Sequence, residues 1–188
     1  MKLDMKLDKK RTVPFLLAGI VILVDQITKA IIAFNWPIPE DRHGVLIADV
    51  FKNDFLHIYH VRNPVIAFSL GQNVPEPIRP VVFVVLPLAV LCMLMWYYFS
   101  SNDFTRLQRW ATAGIIGGGM GNLIDRIFRP DGVVDFISVK FYGFLGFDRW
   151  PTFNIADSAV VVSCLLLFIT ILFSPKKPKE IMVNEQET

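Results

Sequence analysis

Only two cysteines occur in this 188-residue chain, Cys92 and Cys164, and both lie inside apolar runs. A pair so placed excludes a disulfide scaffold and offers no spacing for metal ligands. Net charge is equally thin: 19 Lys and Arg against 17 Asp and Glu leave +2, too little for an electrostatic hold on nucleic acid. The usual motifs of serine and zinc hydrolases are missing as well. No G-x-S-x-G or Ser-Lys arrangement supplies a serine nucleophile, and no H-E-x-x-H supplies zinc. His57 and His60 are three apart in a β-prone stretch, which points them to opposite faces of a strand and removes them as a metal pair. Neither a metal nor a cofactor is expected.

Hydrocarbon is what the chain has in excess: 53% of its residues are hydrophobic and mean hydropathy is +0.46, too apolar for an ordinary soluble domain. Four apolar runs, at about 13–34, 81–99, 110–128 and 154–173, have the roughly 20-residue length that a membrane-crossing helix needs. The fold class expected is an integral membrane protein, mainly α, with four transmembrane helices forming a single membrane-embedded domain over 1–188. A basic start followed by an apolar run also describes a cleaved signal peptide, but Asp25 and Lys29 spoil that core and no small-x-small cleavage site follows. Lys2, Lys6, Lys9, Lys10 and Arg11, then Arg106 and Arg109, then Lys176, Lys177 and Lys179 fall on one side of four spans, so both termini are expected in the cytoplasm. Residues 35–79 and 129–153 then lie outside. Within them, 55–61 and 67–70 read as strands, 133–139 as a strand or re-entrant edge, and 141–147 with Trp150 as an aromatic interface patch. A small extracytoplasmic β-sheet with a short surface helix is the expected result.

Ionisable groups at the edge of a bilayer are costly and mark function by default. Asp25 and Lys29 share one helical face in the favourable acid-before-base order, and serve either as a mutual ion pair or as substrate contacts. Gly114, Gly118, Asn122 and Asp125 form one stripe of the glycine-rich third run, at a spacing that lets helix backbones approach closely. Asn122, Asp125 and Arg126 are either structural glue, with Asp125 pairing with Arg126 or capping a neighbouring backbone, or part of a site. Asn154 and Asp157 are spaced as a helix N-capping pair. Asp135 sits in the 133–139 strand. Asp135 and Asp157 are expected at the same outer depth, and neither adjoins a basic residue, whereas Asp125 adjoins Arg126. Two carboxylates brought together cannot both ionise cheaply. They share a proton, and one then serves as general base to a water while the other donates to a scissile carbonyl. An ion or proton path would instead spread polar groups along a whole span, yet 81–99 carries no charge and the acids cluster at one end.

Five ordered motifs carry a resemblance: V-D-Q-I-T-K at 24–29, R-N-x-x-x-A-F at 62–68, G-G-x-x-G-N-L-I-D-R at 117–126, V-V-D-F at 133–136 and F-N-I-A-D-S at 153–158. Together they resemble the lipoprotein signal peptidases, also called signal peptidase II, of bacterial cytoplasmic membranes. The resemblance implies a β-cradle beside four spans and a catalytic pair at Asp135 and Asp157. It also implies site-lining or bracing roles for Asp25, Lys29, Asn63, Asn122, Asp125, Arg126 and Asn154. The implied reaction removes the signal peptide of a lipidated prolipoprotein just before its modified cysteine. Implied partners are that substrate, membrane lipid and the cyclic peptide inhibitor globomycin, with the protein working as a monomer in the inner membrane and its site near the extracytoplasmic face. Two departures stand out: Pro64-Val65-Ile66 replaces the family's usual T-G-A, and the segment between the two aspartates is slightly long.

Overall fold

The computed structural model describes residues 8–64, 73–129 and 131–173. The expected strand at 67–70 lies outside them, as do Lys2, Lys6 and the C-terminal lysines. After the single turn α1 (Lys9–Thr12), four long helices run back and forth: α2 (Phe15–Asn35), α3 (Leu86–Ser100), α4 (Arg106–Phe128) and α5 (Ile155–Leu172). Three helical stretches, Lys9–Asn35, Glu76–Ser100 and Ile155–Leu172, are long and apolar enough to cross a membrane. They show apolar residues such as Leu23, Met93 and Phe168 to their surroundings.

α4 is different in kind. At 23 residues it has the length, but Gln108, Arg109, Asn122, Asp125 and Arg126 lower its hydropathy. It tolerates them because it is the central helix: Ala111, Thr112, Ala113, Ile116, Asn122, Leu123 and Asp125 are all buried by the others. The glycine stripe explains how the others come so close. A Cβ on Gly118 would lie 2.4 Å from the carbonyl oxygen of Ala156 in α5, and one on Gly121 would lie 2.8 Å from the Asp25 carboxylate in α2. α4 begins four residues earlier than the apolar run, because Thr105 and Gln108 form a reciprocal capping box. That Thr-x-x-Gln signature was present in the sequence and outweighs the polarity of Arg106 and Arg109. Pro87 sits in the first turn of α3, where its missing N–H is absorbed by the π-helical segment Val81–Val85 just before it.

Opposite the sheet end, Tyr98 is fully buried and its hydroxyl donates to the Arg11 carbonyl at 2.7 Å. Arg109 lies over the rings of Tyr98 and Phe104, joining the start of α4 to the end of α3.

At the other end, β1 (Gly44–Asp49), β2 (Leu56–Asn63) and β3 (Val133–Val139) form an antiparallel sheet in that order. β3 matches the expected strand, and β2 runs two residues beyond the expected 55–61. β1 has no counterpart among the expected strands, its short V-L-I-A run being only partly buried. Among the described residues, the expected surface helix is matched by 3-10 turns at Glu76–Ile78 and Phe144–Gly146. The sheet lies broadside across the helix ends: Val134 and Phe136 pack with Ile32 of α2, and Ile47, Ile58, Ile137 and Ile155 close around them. Each large apolar side chain so buried contributes about 1.5–3 kcal/mol. His57 and His60 do face different partners, Asp54 Oδ1 at 2.9 Å and the Trp36 carbonyl at 2.6 Å.

Candidate active site

β3 leaves the end of α4 after a short turn and delivers Asp135 over the bundle, while α5 starts beneath it with Asn154 as N-cap. Asn154 accepts from the Asp157 backbone N–H at 2.9 Å, and Asp157 Oδ2 accepts from the Asn154 backbone N–H at 3.2 Å. The capping box expected from N-x-x-D is therefore present. It also has a second use, because the Asn154 amide donates to Asp135 Oδ1 at 2.7 Å. One residue thus ties both aspartates together through its main chain and its side chain.

The remaining donors are amides too. Asn63 of β2 donates to Asp135 Oδ2 at 3.0 Å, and Asn122 of α4 donates to Asp157 Oδ1 at 2.7 Å. Asn122 is oriented by what its own oxygen accepts, the Asn154 amide at 3.0 Å and the Lys29 ammonium at 2.9 Å. Neutral donors satisfy the lone pairs without cancelling the charge. Burial, and then the charge of Asp157, push the Asp135 carboxyl up to about 7, against the pull of Asn63 and Asn154.

Asp25 and Asp125 are treated otherwise. Lys29 Nζ lies 2.8 Å from Asp25 and 3.2 Å from Asp125, and all three side chains are fully buried. Asp25 also accepts the Ala156 backbone N–H at 2.9 Å, capping the start of α5 from α2. Asp125 accepts the Val134 N–H at 3.1 Å, capping the start of β3. Of the two structural roles expected for Asp125, the backbone cap is the one that forms, and the pairing with Arg126 is corrected: the ion pair is to Arg129, because neighbours on a helix diverge by 100° while residues four apart share a face. Gln26, which sequence reasoning passed over, donates to Asp125 Oδ1 and to the Gly121 carbonyl, both at 2.9 Å. Its place inside V-D-Q-I-T-K was the available signal, as was the i, i+4 spacing for Arg129. Arg126 is half-buried and makes no hydrogen bond or ion pair among the described residues, yet Asp157, Asp135 and Asp125 are all within electrostatic reach of it.

All nine expected site residues therefore gather at the sheet end of the bundle. Apolar helices topped by a small sheet are a fold this chain shares with solved bacterial membrane enzymes. A structure described as a bacterial membrane enzyme solved by the in meso method at 2.3 Å aligns with a TM-score of 0.71 and 29% identity, covering 90% of this chain and 94% of that one. A second such structure, at 1.9 Å, aligns with a TM-score of 0.69 and 26% identity, covering 87% and 94%. Residues 17–173 match the model of signal peptidase (SPase) II, and the chain belongs to that family. It is similar to proteins named lipoprotein signal peptidase from Treponema pallidum, 42% identical over 94% of this chain and 90% of that one, and from Treponema denticola, 44% identical over 89% and 93%.

Proposed function

We propose that this protein is an intramembrane aspartic endopeptidase that removes the signal peptide of diacylglyceryl-modified prolipoproteins, cutting just before the lipidated cysteine. The observation that carries the reading is the pair Asp135, buried, and Asp157, half-buried, linked through Asn154 and given amide donors in place of a cation. Asp135, poised near 7, holds the shared proton. Asp157 takes a proton from a water whose oxygen attacks the scissile carbonyl, and Asp135 donates to the carbonyl oxygen, leaving a neutral gem-diol. Collapse returns a proton to Asp135, and Asp157 gives its proton to the departing nitrogen as the C–N bond breaks.

Asn63 and Arg126 face the substrate: Arg126, with no hydrogen-bond or ion-pair partner among the described residues, is available for a peptide carbonyl or the developing oxyanion. Asn122 and Asn154 hold the dyad, while Asp25, Lys29 and Asp125 brace it. In this reading α4 is the fourth span of a single domain in the bacterial cytoplasmic membrane, both termini are cytoplasmic and the site opens near the extracytoplasmic face. The protein works as a monomer, lipid lines its apolar helices, and the cyclic peptide globomycin competes with substrate. Asp135→Asn and Asp157→Asn should each lower cleavage of a diacylglyceryl-modified precursor at least a thousandfold, with the detergent-solubilised protein still folded. Near wild-type cleavage by either variant refutes the dyad.

A further inference from the structure

The segment between β3 and α5 takes no part in the chemistry above, and its shape is costly. Backbone bonds from Phe141 N to Asp148 O at 2.7 Å and from Gly143 N to Phe147 O at 3.0 Å close it into a tight loop. Tyr142 and Leu145 adopt the left-handed conformation at φ 52° and 54°, alternating with Gly143 and Gly146. Bulky residues rarely accept that region, so each placement is costly. Behind the tip, Trp150 packs on Phe141 and Phe147 with ring centroids 4.9 Å and 5.7 Å apart. Asp54 braces the base from the neighbouring turn through Lys140 and through Arg149, whose Nη1 also donates to the Asp54 carbonyl at 2.8 Å. All this ordering leaves Tyr142, Phe144 and Leu145 at 68%, 63% and 69% exposure. Phe51 and Phe55 of the β1–β2 turn, at the same end of the sheet, extend the exposed apolar patch. A patch of this kind marks a contact.

We propose that the 141–150 loop is an interfacial anchor, with Tyr142, Phe144 and Leu145 seated in the headgroup and upper acyl region of the bilayer that surrounds α2, α3 and α5. The direction of the sheet decides the occupant. Ile47, Ile58 and Ile137, one from each strand, pack onto the cluster that includes Ile32 of α2, so the sheet runs across the helix ends and not away from them. The loop returns through Phe153, whose backbone pairs with Ile137, directly into Asn154, the N-cap of α5. Its base therefore sits beside the end of a membrane-crossing helix, and what surrounds that helix is lipid. Aromatic side chains with a cation beside them suit the headgroup zone; here Lys140 Nζ lies 5.7 Å from the Tyr142 ring centre and Lys52 is exposed on the adjoining turn. The proposal rests on the reading of α2, α3 and α5 as membrane spans and is independent of the peptidase chemistry.

The test places one nitroxide label on the full chain, with Cys92→Ser and Cys164→Ser removing the two free thiols, at Leu145→Cys, Val162→Cys or Asp41→Cys. Power saturation in phosphatidylethanolamine–phosphatidylglycerol vesicles compares collision with oxygen and with a water-soluble nickel chelate. Position 145 is expected to resemble the lipid-facing position 162, with an oxygen-to-nickel ratio several-fold above that at 41. If 145 matches 41 the loop lies in water, and if it is shielded from both reagents it is covered by protein; either result overturns the anchor. Aqueous behaviour at 162 instead rejects the membrane reading itself. Precursor cleavage by the same labelled proteins reports on the peptidase separately.

Discussion

Asp25 and Asp125 share the end of the bundle with Asp135 and Asp157, yet the two pairs are satisfied in opposite ways. The first pair encloses Lys29, and Asp125 has Arg129 besides. The second pair is held by Asn63, Asn122 and Asn154. A buried carboxylate held by a buried ammonium serves as a fastener, here capping the first turn of α5 and the start of β3. A buried carboxylate beside amides keeps its hydrogen bonds and an undecided proton, which is what acid–base chemistry requires. The cost of the second arrangement falls on stability.

The sharpest way to break this contrast is Lys29→Met, which strands two buried carboxylates. A loss of about 3–5 kcal/mol is expected, read as a large drop in unfolding temperature in detergent; an unchanged midpoint would refute the fastener role. Next comes pH. Unfolded, the Asp135 carboxyl loses its proton near 3.8, while folded it keeps it to about 7. Stability is therefore highest below the unfolded value, declines between about pH 4 and 7, and is flat above, by on the order of 2–4 kcal/mol. In Asp135→Asn that part of the slope should vanish, as equilibrium unfolding across pH will show. Asn154 separates the two roles within one side chain. Asn154→Ala should cost about 1–2 kcal/mol through the lost cap. Asn154→Ser retains a capping oxygen but not the donor to Asp135, so cleavage should fall roughly a hundredfold while the midpoint barely moves. The smallest effect belongs to Asp54, whose ion pairs with Lys140, Arg149 and His57 lie near the surface. Asp54→Ala should shift the midpoint by no more than about one or two degrees and leave detergent-phase cleavage unchanged, since exposed pairs are screened.

Much of this plan was visible in the residues, and what was not has particular causes. The three apolar spans were legible because about 20 mostly apolar residues have few other uses, and β3 because V-V-D-F-I-S-V is strand-prone at all but one or two positions. The N-cap at Asn154 and the glycine stripe on α4 were legible because both are local, set by spacings of three and four. β1 was missed because a half-exposed edge strand has little hydrophobic pattern of its own. Arg129 was missed because sequence adjacency drew attention to Arg126, although a helix pairs residues four apart.

Local chemistry, carried by each segment on its own, settled that this chain would be apolar helices with carboxylates gathered at one end. It could not settle which carboxylate would meet a cation. Lys29 lies four residues from Asp25, but it reaches Asp125 and Asn122 only because Gly118 and Gly121 let α4 approach α5 and α2 so closely. Asp135 meets Asn154 only because the sheet folds down over the helix ends. Those distances are products of packing, and packing decides which acid is neutralised and which is left able to exchange a proton.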